Sequence, residues 1–153
     1  MSVERVPDGQ VMLAFGEEYA PALDQPFDEE GLFALRSAVA AHTADLDAAT
    51  VLDDAVLVAH ELSSNAVRHG GGIGRLRLWR TATALVVQVS DSGQGLPDPA
   101  QAGRKRPSPS VPGGRGLWIV RHLAAMRIDQ TTDGLTVTAT IALPPGEGPP
   151  ASP

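Results

Sequence analysis

The stretch that most constrains this chain runs from Thr50 to Gly70, TVLDDAVLVAHELSSNAVRHG. Val51, Ala55, Val58, Ala59, Leu62 and Ala66 recur at helical spacing and predict a long helix with one buried stripe. Thr50 with Asp53 three residues on resembles a capping box, and Gly70 is a natural stop just past the last turn. Glu61, Asn65 and His69 stand at i, i+4 and i+8, so they rise one above another on one face. A carboxylate, an amide and an imidazole in one row beside a core stripe are unusual in a helix interior. Asn and Ser are poor helix formers, so something other than local stability is expected to keep them there. An exposed polar face is the plainer explanation, and the rest of the chain decides between the two.

The segments after the helix are rich in glycine. Beyond Gly70 to Gly74, RLRLWR alternates Leu76 and Leu78 with Arg75, Arg77 and Trp79, and ALVVQVS is rich in β-branched residues. With the polar turn at 81–83 between them, they read as two antiparallel strands, the second more deeply buried. The second strand runs into Asp91-Ser92-Gly93-Gln94-Gly95-Leu96-Pro97. A carboxylate at a strand end, followed by glycines at two-residue spacing, makes a tight turn where backbone can approach a ligand closely. Residues 97–113 hold five prolines and the basic cluster Arg104, Lys105 and Arg106. Without core periodicity they read as a mobile loop or lid or, in the middle, as an insertion without function.

Gly113-Gly114-Arg115-Gly116-Leu117 then opens a helix carrying Leu117, Val120, Leu123 and Ala124. A glycine-rich entry into a helix presents free backbone N–H groups and a partial positive charge, which suits a phosphate. Asp133-Gly134 is a hairpin signal. LTVTATIAL follows, with Leu135, Val137, Ala139, Ile141 and Leu143 on one face and threonines on the other, the clearest strand in the chain.

Upstream of the long helix the signals are weaker. Val11 to Phe15 has the composition of a short strand, but Gly16, Pro21 and Pro26 punctuate residues 1–27. Asp28 reads as an N-cap with Glu29 and Glu30 in the first turn, and Leu32, Phe33, Leu35, Val39 and Ala40 as the stripe of a helix ending near His42 or Thr43. His42 reads as an ordinary helix-end residue. Residues 144–153, PPGEGPPASP, cannot bury a core and read as a disordered tail.

Composition narrows the partners. A chain of 153 residues suits one domain, expected over 28–143, and no apolar run approaches membrane-spanning length. The N-terminus lacks the regions of a secretory signal, and zero cysteines exclude disulfides and thiolate metal sites, so a cytoplasmic protein with no membrane partner is expected. A net charge of -6 argues against nucleic acid as a partner. Residues 1–67 hold 13 acidic side chains against Arg5 and Arg36, whereas ten basic residues face five acidic ones from Arg68 onward. The second half is thus suited to an anion such as a nucleotide phosphate. Neither GxxxxGK[ST] nor GxGxxG between strand and helix occurs, the HExxH zinc motif fails at Ser64, and no GxSxG elbow is present.

Glu61-x-x-x-Asn65-Ala66-x-x-His69 resembles the N box of the GHKL ATPases, the superfamily of gyrase, heat-shock chaperone, histidine kinase and mismatch-repair ATPases. Asp91-x-Gly93-x-Gly95 resembles their G1 box and Gly114-x-Gly116-Leu117 their G2 box. Each box alone is a weak signal, but three in order with strands and a lid between them make a strong one. The wording of HELSSNAVRHG and GGRGLWIV looks most like the bacterial anti-sigma factor serine/threonine kinases. A sensor histidine kinase would need a phosphoacceptor histidine on a dimerisation hairpin, which His42 does not supply.

The resemblance implies an α+β Bergerat fold: a two-layer sandwich of a mixed, mostly antiparallel sheet with helices on one face. It implies that Asn65 ligates Mg²⁺ and that Asp91 accepts from the adenine amino group of ATP. Gly93 and Gly95 would lie against base and sugar, while Gly114, Gly116 and Leu117 at the helix start hold phosphates. Arg115 would touch either phosphate or a partner, and Glu61 would orient or deprotonate the attacking hydroxyl. The implied partners are an anti-anti-sigma (STAS-type) protein, as substrate, and a sigma factor, with the kinase a homodimer. The alternative is a non-catalytic module that uses ATP only to set its affinity for a partner.

Overall fold

The computed structural model describes residues 20–46, 49–104 and 115–144. The five strands are β1 (Leu23–Asp28), β2 (Ile73–Arg80), β3 (Ala84–Asp91), β4 (Ala125–Thr131) and β5 (Gly134–Ala142). The helices are α1 (Leu32–Thr43), α2 (Ala49–His69) and α3 (Arg115–Leu123). The strands form one sheet in the order β1-β2-β3-β5-β4, and all four ladders are antiparallel. The α+β sandwich read from the sequence is thus present, with no parallel ladder among the described residues.

Alternation sets the two faces. Directly paired residues share a face, so Leu78, Val87 and Ala139 line up across three strands, as do Leu76, Val89 and Val137. These six are buried, and they form one core cluster with Leu35 and Val39 of α1 and with Leu117 and Val120 of α3. The predicted stripe of α2 is buried throughout and packs into the same core. Removing that much apolar surface from water, at about 25 cal/mol per Å², is what holds helices and sheet together. On β3, Leu85, Val86, Val87 and Val89 are all buried, as its β-branched run predicts. No helix among the described residues is long and apolar enough to cross a membrane.

Several local expectations are corrected. Asp28 does not cap α1; it ends β1, and its carboxylate accepts from the Gly31 N–H at 2.9 Å, closing the turn that precedes the helix. The N-cap position belongs to Gly31, without a side-chain cap, and neither Glu29 nor Glu30 lies inside the helix. Thr50 sits within the first turn of α2, which begins at Ala49, so Thr50 and Asp53 form no capping box. The region around Pro26 folds as β1, because an edge strand has no ladder partner on its outer side and tolerates a missing N–H. β4 was not legible as a strand: it follows α3 after one intervening residue, and in AMRIDQT the only large apolar residues are Met126 and Ile128. The Val11–Phe15 strand, most of the lid and the tail from 145 lie outside the described residues.

Candidate functional site

Asp91 is the last residue of β3, and three glycines close around it. A Cβ on Gly70 would come within 2.5 Å of Asp91 Oδ2, and one on Gly134 would run into the Asp91 carbonyl oxygen. Gly134 has φ +148, a conformation that side chains resist, at the start of β5. A Cβ on Gly93 would lie 2.6 Å from the Gly70 carbonyl carbon and 2.8 Å from the His69 carbonyl oxygen. The missing side chains at Gly70 and Gly93 therefore let the end of α2 and the turn after β3 touch backbone to backbone. Asp91 Oδ1 accepts from the Gly93 N–H at 2.9 Å, which fixes the carboxylate.

Beside Asp91 lies a partly open cavity of about 80 Å³. Its polar lining comes from Asn65, His69 and Asp91, and its apolar walls from residues that include Leu62, Val89, Leu96 and Leu117. Mostly apolar walls with one fixed carboxylate suit a flat heteroaromatic group carrying a hydrogen-bond donor. Asn65 also lines a second, more polar cleft of about 210 Å³, together with His60, Glu61, Ser64, Arg68, Arg115 and Gly116. Asn65 is thus the shared wall of the two.

The start of α3 meets α2 at this second cleft. A Cβ on Gly116 would lie 3.3 Å from Glu61 Oε2 and 3.3 Å from Asn65 Nδ2, so glycine there leaves the carboxylate and amide open to whatever enters. The first N–H groups of α3 have no partner within the helix, and Arg115 and Gly116 at its start line this cleft. The basic half of the chain divides in two. Arg75 and Arg77 pair with Asp24, Arg80 with Asp45 and Arg127 with Asp129. No ion pair found among the described residues involves Arg68 or Arg115, the two arginines of the cleft.

The described root of the lid is held at both ends. The Leu96 N–H donates to Gln130 Oε1 at 2.7 Å, and Arg121 Nε donates to the Ala102 carbonyl at 2.7 Å. Gly103, at φ +75, packs so closely on α3 that a Cβ would meet the Leu117 carbonyl oxygen at 2.6 Å.

Of the residues singled out from sequence, Asn65, Asp91, Gly95 and Leu117 line the cavity, and Glu61, Asn65, Arg115 and Gly116 line the cleft. Gly93 lines neither; its place is the contact with the end of α2. Gly114 lies outside the described residues. Sequence reasoning missed Ser64 and Arg68 in the cleft, although both share the helical face of Glu61 and helical spacing could have found them. It also missed Gln130, and although Asp133-Gly134 read as a hairpin signal, no local signal places Gly134 against Asp91.

The family model described as histidine kinase-like ATPase domain matches residues 26–141. The chain belongs to this family. The match runs from within β1 to within β5 and so includes every residue named in the lining of the two clefts. No curated protein matches the chain. Solved structures similar to it include the catalytic domain of the histidine kinase ThkA, at 17% identity over 78% of this chain and 95% of that one, with a TM-score of 0.48. The blue-light activated histidine kinase EL346 of Erythrobacter litoralis is 17% identical over 87% of this chain and 44% of its own, with a TM-score of 0.45. The histidine kinase domain of the E. coli osmosensor EnvZ is 14% identical over 90% of this chain and 98% of its own, also with a TM-score of 0.45.

Magnesium fits the donors of the second cleft. The Asn65 amide oxygen is a hard ligand beside a carboxylate, and no group of three or more His, Cys, Asp or Glu that could cage a metal occurs among the described residues. An ion held mainly by phosphate oxygens and water, with one or two protein ligands, is the usual arrangement for Mg²⁺.

Proposed function

We propose that this ATPase-family domain is an Mg-ATP-dependent serine/threonine protein kinase that acts as a homodimer on an anti-anti-sigma partner of the STAS type and thereby regulates a sigma factor. The observation that carries the reading is the position of Glu61: a carboxylate on the wall of the polar cleft, beside Asn65 and opposite the Gly116 backbone. The wording of HELSSNAVRHG and GGRGLWIV supports the kinase subtype.

In this reading the 80 Å³ cavity takes adenine, with Asp91 accepting from the exocyclic amino group. The amide oxygen of Asn65 holds Mg²⁺, which supplies charge neutralisation to the phosphates when bound. Arg68, Arg115 and the N–H groups at the start of α3 hold the phosphate oxygens. Glu61 orients the partner's serine hydroxyl and takes its proton as the serine oxygen bonds to the γ-phosphorus and the bond to the leaving ADP oxygen breaks.

The test is incubation of the protein with γ-labelled ATP, alone and with a STAS-type partner. The wild type is expected to label the partner on serine or threonine. Glu61→Ala is expected to bind ATP as the wild type does and to transfer phosphate about 10²- to 10⁴-fold more slowly, the usual worth of a positioned acid–base group. Unchanged transfer by Glu61→Ala would refute the role given to that carboxylate. ATP binding without transfer to any partner would instead leave a module whose partner affinity ATP sets.

A further inference from the structure

The turn from Ser92 to Leu96 hangs between two side chains of one cross-strand row. Asp91 of β3 and Gln130 of β4 both pair with Leu135 of β5, so the three side chains share one face of the sheet. At one end of the turn Asp91 Oδ1 takes the Gly93 N–H, and at the other Gln130 Oε1 takes the Leu96 N–H. Gln130 also lies directly against Gly95. That glycine has φ +81, and a Cβ there would sit 2.5 Å from Gln130 Oε1 and 2.6 Å from its Cδ. Gly95 and Leu96 are themselves walls of the apolar cavity, whereas Gln130 is not. The chain thus reaches across from an edge strand, 34 residues further on, to hold a wall of the cavity from behind.

We propose that Gln130 is a positioning residue for base recognition: it fixes the Gly95–Leu96 backbone so that Leu96 closes the cavity over the heteroaromatic ring, while Asp91 reads the ring's edge. The proposal rests on the reading of this cavity as the base pocket. It predicts an effect confined to the base. Loosening Leu96 weakens adenosine and ADP by the same factor, because the phosphates are held in the other cleft.

The test titrates adenosine and ADP, the latter with Mg²⁺, into ¹⁵N-labelled protein and follows the Leu96 amide in the same spectra. Gln130→Leu, which keeps much of the bulk and drops the acceptor, is expected to weaken both ligands by about fivefold, in line with the loss of one exposed hydrogen bond. It is also expected to speed hydrogen exchange at the Leu96 amide. Gln130→Glu keeps an acceptor oxygen at the same reach and is expected to stay within about twofold of wild type on both readouts. Gln130→Met takes the place of Gln130→Leu if the latter does not fold. Equal adenosine affinity in wild type and Gln130→Leu, or a Leu96 amide unprotected in the wild type, overturns the proposal alone. A wild type that binds neither adenosine nor ADP overturns the pocket reading and the proposal with it.

Discussion

At the scale of single residues, the candidate site is set by where side chains are missing as much as by where they are present. Gly70 shows it best. It ends α2, as a glycine should, but its closer constraint is the Asp91 carboxylate packed where a Cβ would be. Gly70→Ala must push Asp91 or the helix end aside. It is expected to cost about 1–3 kcal/mol of stability, as overpacking does. It should also weaken adenine nucleotide binding at least tenfold while unfolding remains cooperative. Calorimetric titration alongside a thermal melt checks both, and an unchanged affinity would show that Asp91 does not need this seat. The helix-stop role of Gly70 was legible in the sequence, because helix ends favour glycine locally. Its contact with Asp91 was not, since nothing near Gly70 names a partner two strands away. The same holds for Gln130 and Gly134, whereas Glu61, Asn65, Asp91 and Gly116 could be found because each sits inside a short pattern of its own.

At the scale of elements, α2 carries both the core stripe and the row facing the clefts, and one of its carboxylates sits uneasily. Burial raises the Asp54 pKa above the ordinary aspartate value, and neighbouring Asp53 adds to the effect. A folded-state pKa above the unfolded one means that the folded chain binds the proton more tightly. Asp54 therefore lowers stability at neutral pH, and that penalty disappears as pH falls through the raised folded pKa toward the unfolded value. Asp54→Asn, which changes helix propensity little, is expected to raise the melting temperature at pH 7 by about a degree or two. The gain should shrink as the pH is lowered into the range where the wild-type carboxyl is protonated. An equal gain at all pH values would assign it to packing instead. Asp24 behaves oppositely: its hydrogen bonds with Arg75 lower its pKa, so its contribution is present at neutral pH and lost in acid. The long helix and the strands β2, β3 and β5 were legible from periodicity because each has a clean apolar face. β1 and β4 were not, because edge strands are half covered and carry proline or charge where a central strand could not.

At the scale of the whole molecule, the sheet brings together three sequence patterns separated by strands and a lid, and it puts Asn65 between an apolar cavity and a polar cleft. The layout matches what an adenine nucleotide requires: a dry slot for the base with one carboxylate at its edge, and amides, arginines and a helix start for the phosphates. The most direct test is calorimetric titration of ATP, with and without Mg²⁺, into wild type and Asp91→Asn. The account predicts micromolar binding by the wild type, tighter with Mg²⁺, and a loss of at least about a hundredfold in Asp91→Asn, where an amide N–H₂ would face the adenine amino group and two donors would be left unpaired. Absence of binding by the wild type, or equal binding by the two proteins, would contradict it.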